Sequence, residues 1–186
     1  IVFYLNHDHV EITGEDAFLT LSTWLRVKKA MTGTKVVCSE GDCGACTVIL
    51  GWMNPVGKLE YRIVDSCIQF LFQLDSCHVI TVEALAENGK LHPAQQAMVE
   101  CFGSQCGFCT PGFVMALADL AEKEQSHTTT SIKDKLGGNL CRCTGYEAIV
   151  KAGLALNAAQ QVKISERFDR KAMEAEFVKT AGQSLK

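Results

Sequence analysis

The chain lacks any run close to the roughly 18 consecutive apolar residues that suggest a membrane-spanning helix. It also lacks a basic excess: 18 Lys and Arg stand against 21 Asp and Glu, a formal charge of -3. The first absence argues against a membrane span, and the second leaves no electrostatic footprint for nucleic acid. No signal peptide is visible, although the chain starts at Ile1 rather than Met, and a cytoplasmic location is the expectation. No G-x-G-x-x-G or other dinucleotide loop occurs, so the sequence offers no recognisable dinucleotide-binding site.

Cysteine is abundant instead. Hydrophobic residues make up 47% and charged residues 21% of the 186, enough for a packed core in one large or two small domains. Ten cysteines are present, and eight of them form two sets of four. In an exported protein this count would suggest disulfides. Short clustered spacings without an export signal favour metal ligation.

Periodicity divides the chain near residues 83–91. Strands are predicted at residues 2–6, 9–12, 47–50, 58–64 and 79–82, with a turn at His7 and Asp8. Leu59, Tyr61 and Ile63 fall on one face of the fourth strand. A helix is predicted over residues 17–28 from Phe18, Leu21 and Leu25. The second half reads as helices: 92–102 with Pro93 near its start, one from Pro111, one from a Ser131 cap to Leu136, and an alanine-rich one over 146–159. Between Lys163 and Lys179 nine of seventeen residues are charged. That stretch reads as a linker or fraying terminus, or as an exposed helix using Phe168, Met173 and Phe177.

Cys38, Cys43 and Cys46 follow a C-x4-C-x2-C pattern, and Cys67 comes twenty residues later. This is the plant-type ferredoxin spacing. Three thiolates within nine residues must curl around one centre. Gly41 and Gly44 can supply the positive φ angles this requires and let backbone N–H groups approach the sulfides. Structural zinc more often takes split C-x2-4-C pairs. In the second set, Cys106 and Cys109 form C-x2-C, and Cys141 and Cys143 form C-x-C after thirty-one residues. C-x2-C alone is a weak signal shared with redox pairs and zinc knuckles. Here each pair precedes a predicted helix, whose N-terminal N–H groups suit an anionic centre. A free-standing ferredoxin-like carrier and a zinc module are the competing readings.

The segments Gly33-Thr34-Lys35, Cys38 through Cys46-Thr47-Val48, and Val64-Asp65-Ser66-Cys67 resemble the first iron–sulfur motif of the molybdenum hydroxylases. Gln105-Cys106-Gly107-Phe108-Cys109-Thr110-Pro111-Gly112-Phe113 and Gly138-Asn139-Leu140-Cys141-Arg142-Cys143-Thr144-Gly145-Tyr146 resemble the second. The resemblance covers roughly residues 2–159 and is strongest toward the xanthine dehydrogenase-like branch, with an aldehyde-, N-heterocycle- or carbon monoxide-oxidising member of the family as the alternative.

It implies an α+β chain: an N-terminal β-grasp plant-type ferredoxin domain (1–84), then an all-α four-helix bundle (85–162), then a charged tail toward a flavin domain (163–186). It implies two [2Fe-2S] clusters, one held by Cys38, Cys43, Cys46 and Cys67, the other by Cys106, Cys109, Cys141 and Cys143. It further implies a molybdenum–pterin cofactor on a large partner subunit or domain, FAD on a medium one, and a Gln105 contact to the pterin. Electrons would run from molybdenum through both clusters to FAD, with no catalytic residue of hydroxylation on this chain. Arg142, between two ligands, reads equally as a donor near the cluster or a solvated side chain. Val37, where the family often has glycine, and Ser76-Cys77, near a common glycine turn, depart from the pattern without removing a ligand.

Cys77 and Cys101 belong to neither set and read as apolar or surface thiols. His92 reads as a helix cap or surface residue, and Trp24 and Trp52 as packing residues.

Overall fold

The computed structural model describes residues 1–122, 126–157 and 163–180. Its first half is a five-stranded mixed sheet of β1 (Val2–Leu5), β2 (Asp8–Glu11), β3 (Thr47–Met53), β4 (Leu59–Asp65) and β5 (Cys77–Ile80), ordered β2-β1-β5-β3-β4. The β1–β5 pair is parallel and the other pairs are antiparallel. Helix α1 (Leu21–Val27) crosses one face. The second half contributes α2 (Pro93–Glu100), α3 (Thr110–Ala121), α4 (Thr129–Lys135), α5 (Glu147–Ala155) and α6 (Arg170–Thr180). The class is α+β, as expected. No described helix is long and apolar enough to cross a membrane.

The sheet is covered on both faces, and β3 shows how. Side chains alternate along a strand, so Val48 and Leu50 enter a core with Phe3, Leu5, Leu21, Trp24 and Leu25. Ile49 points the other way, into a core with Ile80, Phe113, Leu117 and Ile149. Leu59, Tyr61 and Ile63 share that second side, the face expected from their alternation. Two covered faces explain why β3 carries the unbroken apolar run Val48-Ile49-Leu50.

Several boundaries differ from the sequence reading. The first hairpin pairs Tyr4 with His9 and Leu5 with Asp8, so the turn falls on Asn6 and His7. Asn6 takes φ 55°, a conformation asparagine tolerates, and its Oδ1 accepts from the Thr81 N–H at 2.9 Å. β5 begins at Cys77, two residues ahead of expectation. The cap of α4 is Thr128, not Ser131: Thr128 Oγ1 accepts from Ser131 N at 3.1 Å, and Ser131 Oγ from Thr128 N at 2.9 Å. This reciprocal capping box places the cap three residues upstream of Ser131 and starts the helix at Thr129. The expected end of the fourth bundle helix at Ala159 and residues 181–186 of the expected tail lie outside the described residues.

The charged stretch from Lys163 is folded onto the rest. Phe168, Met173 and Phe177 are buried. Phe177 meets Tyr4 edge-on at 5.8 Å, and Phe168 meets His78 at 4.5 Å. Polar groups anchor the same segment. Leu59 N donates to Glu174 at 2.9 Å, Arg170 to Leu59 O at 2.8 Å, and Tyr4 to Glu176 at 2.6 Å. Arg170, Glu174 and Glu176 thus face the sheet with the apolar anchors, while Glu166, Asp169, Lys171 and Lys179 are exposed.

Candidate metal centres

The first cysteine set lies in the loop before β3 and in the turn after β4. Gly41 and Gly44 take φ +79° and +66°, the left-handed turns expected of them. The loop aims backbone N–H groups at Cys38: those of Glu40, Asp42 and Cys43 bring its thiol down to about 6. The Asp42 N–H reaches Cys38 Sγ at 3.4 Å. A cradle of N–H donors stabilises negative sulfur, bound or free. Cys38 also hydrogen-bonds with the Cys43 side chain.

Cys46 and Cys67 are buried. Burial pushes the Cys46 thiol up to about 12. Its sulfur accepts from Cys67 N at 3.4 Å and pairs with the Cys67 side chain. Asp65 Oδ1 lies 3.7 Å from Cys46 Sγ, and burial raises the Asp65 carboxyl.

The second set lies where α3 and α5 begin. Cys109 is the N-cap of α3 and Tyr146 that of α5, so each pair does precede a helix. Cys143 and Cys106 sulfurs are 3.6 Å apart. The Phe108 N–H, with Cys143 next, lowers the Cys106 thiol. Burial and then the Cys141 side chain push Cys109 up to about 12. Burial acts to raise Cys141, but hydrogen bonds from Thr144 and the Cys143 N–H outweigh it and leave the thiol lowered. Thr144 Oγ1 is 3.2 Å from Cys141 Sγ.

All eight sulfurs therefore meet as pairs: 38 with 43, 46 with 67, 106 with 143, and 109 with 141. Among the described residues, no group of three or more His, Cys, Asp or Glu side chains is arranged around a single ion position. Two pairs of thiols per set would suit a binuclear iron–sulfur group, whose four ligands the set could supply.

Three polar residues organise the sites without having been singled out from sequence. Thr144 faces Cys141, as above. The Tyr146 hydroxyl accepts from Cys141 N at 2.9 Å, and Tyr146 itself sits at φ 70°, a strained choice for a residue with a side chain. Asn139 is buried and donates to Gly44 O at 2.9 Å. Their signal was their place inside the cysteine motifs, where polar residues support the ligands.

A cavity of about 500 Å³ is lined by all four cysteines of the second set, by Cys43 of the first, and by Val37 and Arg142. Gln105 is exposed immediately before Cys106. Among the remaining residues, Cys77 is buried, its thiol pushed up to about 12 by burial, and Cys101 is half-buried against the helical core. His92 is a buried cap whose Nδ1 accepts from Ala94 N at 3.2 Å. Trp24 packs on Phe3 at 5.7 Å.

A family model described as a [2Fe-2S] binding domain matches residues 81–154. The chain is 42% identical over 154 residues to a xanthine dehydrogenase from Blastobotrys adeninivorans, and 41% identical over the same length to aldehyde oxidase 1 from Bos taurus. Each match covers 82% of the chain and 11% or 12% of the relative. The chain thus spans about one-eighth of those relatives or less. Among solved structures, it is similar to a chain of quinoline 2-oxidoreductase from Pseudomonas putida 86, at 30% identity and TM-score 0.71. That match covers 87% of this chain and 97% of the other. Aldehyde oxidoreductase from Desulfovibrio gigas matches at 31% identity and TM-score 0.73, covering 92% of this chain and 18% of that one.

Proposed function

The chain belongs to the molybdenum hydroxylase family, as an iron–sulfur portion of such oxidoreductases, and from this premise we propose that it relays electrons between a molybdenum–pterin centre and FAD through two [2Fe-2S] clusters. Cys38, Cys43, Cys46 and Cys67 hold one; Cys106, Cys109, Cys141 and Cys143 hold the other. In this reading the N-terminal half is a β-grasp plant-type ferredoxin domain and the second a four-helix bundle. The observation that carries it is the meeting of eight sulfurs in four pairs, two pairs per set.

When bound, each cluster takes up and gives back one electron. The chain's own residues hold and tune the sites. The N–H groups of Glu40, Asp42 and Cys43 face the outer sulfur of the first set, and donors to thiolate favour the reduced, more negative state. Burial of Cys46 and Cys67 keeps water from the inner side, whereas Cys106 and Cys143 are exposed. That exposure suits a site completed by a docked partner. Gln105, exposed beside Cys106, is the residue offered to the pterin.

The whole enzyme is proposed to be xanthine dehydrogenase-like, with a molybdenum-binding large unit and an FAD-binding medium unit as partners. A second reading, oxidation of aldehydes or N-heterocycles, draws on the near-equal identity to relatives named aldehyde oxidase. Substrate choice would belong to the large unit. The tail's proposed role as a connection toward a flavin unit would start from α6, which is anchored on the sheet.

Iron, acid-labile sulfide and zinc analysis with low-temperature EPR of the dithionite-reduced protein tests the proposal. About four irons and four sulfides per chain and two distinct signals are expected, since each centre holds two of each. Zinc without labile sulfide would overturn it.

A further inference from the structure

The two cysteine sets touch through backbone, and one buried side chain bridges the same contact. Leu140 N donates to Cys43 O at 3.0 Å, so a residue beside Cys141 is hydrogen-bonded to a residue of the first set. A bonded route runs from the Cys43 side chain to its carbonyl, across that hydrogen bond, and along Leu140 into Cys141. Asn139 Nδ2 donates to Gly44 O at 2.9 Å and to Thr47 Oγ1 at 3.1 Å. The approach depends on glycine. A Cβ on Gly44 would collide with the Asn139 amide and Gly138 O, and one on Gly112 would collide with Gly44 O.

Resting on the two-cluster reading above, we infer that Asn139 is a positioning residue that holds the two cysteine loops together and so sets electron exchange between the clusters. The transfer moves one electron: the centre of the second set is oxidised as that of the first is reduced, and no bond or proton changes hands.

The hydrogen-bond pattern separates this role from general stabilisation. Gly44 O also accepts from Thr47 Oγ1 at 2.7 Å. Without the Asn139 amide that buried carbonyl stays satisfied, and leaving it unsatisfied is what would cost most. What is lost is the hold of residues 138–140 on the first loop. Thr47→Val does the reverse. It removes the hydroxyl from the same spot but leaves the Asn139–Gly44 bond across the loops.

The test uses the complete enzyme with both clusters fully reduced, comparing the unmodified protein, Asn139→Ala and Thr47→Val. Metal and sulfide content is measured first, then the EPR signal of each cluster and the spin–spin interaction between them, read as splitting and relaxation enhancement. Exchange of the Leu140 amide with deuterium is followed in parallel. Asn139→Ala is expected to retain both signals, to lose or narrow the interaction, and to lose protection at Leu140. Thr47→Val is expected to keep the interaction even if its melting temperature falls. An unchanged interaction in Asn139→Ala, no interaction in the unmodified enzyme, or equal loss in both variants would overturn the inference. Absence of iron and sulfide from the unmodified protein would instead defeat the relay reading. If Asn139→Ala does not fold, Asn139→Asp, isosteric but without the donor, is expected to show the same loss, and retention of the interaction would overturn the inference.

Discussion

Replacing Phe177 by alanine tests whether the charged C-terminal stretch is part of the folded unit. Phe177 is fully buried on α6 and meets Tyr4 of β1. Truncating a buried phenylalanine costs about 3–5 kcal/mol, transfer and cavity together. For a chain of this size each kcal/mol moves the melting temperature by roughly 2–4 °C, so a fall of roughly 6–20 °C is expected if α6 melts with the sheet. The assay is thermal unfolding of the cluster-loaded protein, with deuterium exchange at the Leu59 amide beside it. That amide donates to Glu174 on α6 and loses this partner when the helix leaves. A loss below about 0.5 kcal/mol, within the range of an ordinary surface substitution, with Leu59 exchange unchanged, would refute the docking argument.

Two further outcomes follow from the sites and the core. Cys109→Ser should abolish one EPR signal and leave the other; loss of both in a folded protein would mean that the ligand sets are divided wrongly. His78 is buried, with Nδ1 2.9 Å from the Tyr61 hydroxyl and Nε2 2.9 Å from Asn6 O. Burial brings its pKa down from 6.5 to about 4. The unfolded chain therefore binds a proton between those values that the folded one refuses. Stability is complete above about pH 6.5 and falls by up to about 3 kcal/mol as pH drops toward 4. Urea midpoints across this range should show that slope, and His78→Gln should flatten it; an equal slope in the variant would assign it to other groups.

The sites were legible because ligand chemistry constrains spacing. The grouping of the cysteines into two sets and the positive φ of glycines 41 and 44 could be read directly, and the alternation of Leu59, Tyr61 and Ile63 put those three on one face. Asn139, Thr144 and Tyr146 were harder. Each acts on backbone or sulfur brought close by the fold, and nothing local marks Tyr146 as adopting φ 70°. The capping box at Thr128 was misplaced because Thr128 and Ser131 are both competent caps, and only their reciprocal bonds decide between them. α6 was obscured by composition. Nine charges in seventeen residues mask the buried apolar ones, Ile164, Phe168, Met173 and Phe177, that determine where the segment rests.

The double service of β3 bears on how such proteins can be recombined. Ile49 packs with the helices while its neighbours Val48 and Leu50 pack with α1. A chimera that joins the N-terminal half of one relative to the helical half of another near residue 84 would inherit a strand shaped for a vanished neighbour. Halves of this kind are expected to exchange successfully only when the sheet residues facing the helices travel with the helices, so inheritance follows the buried surface rather than the chain.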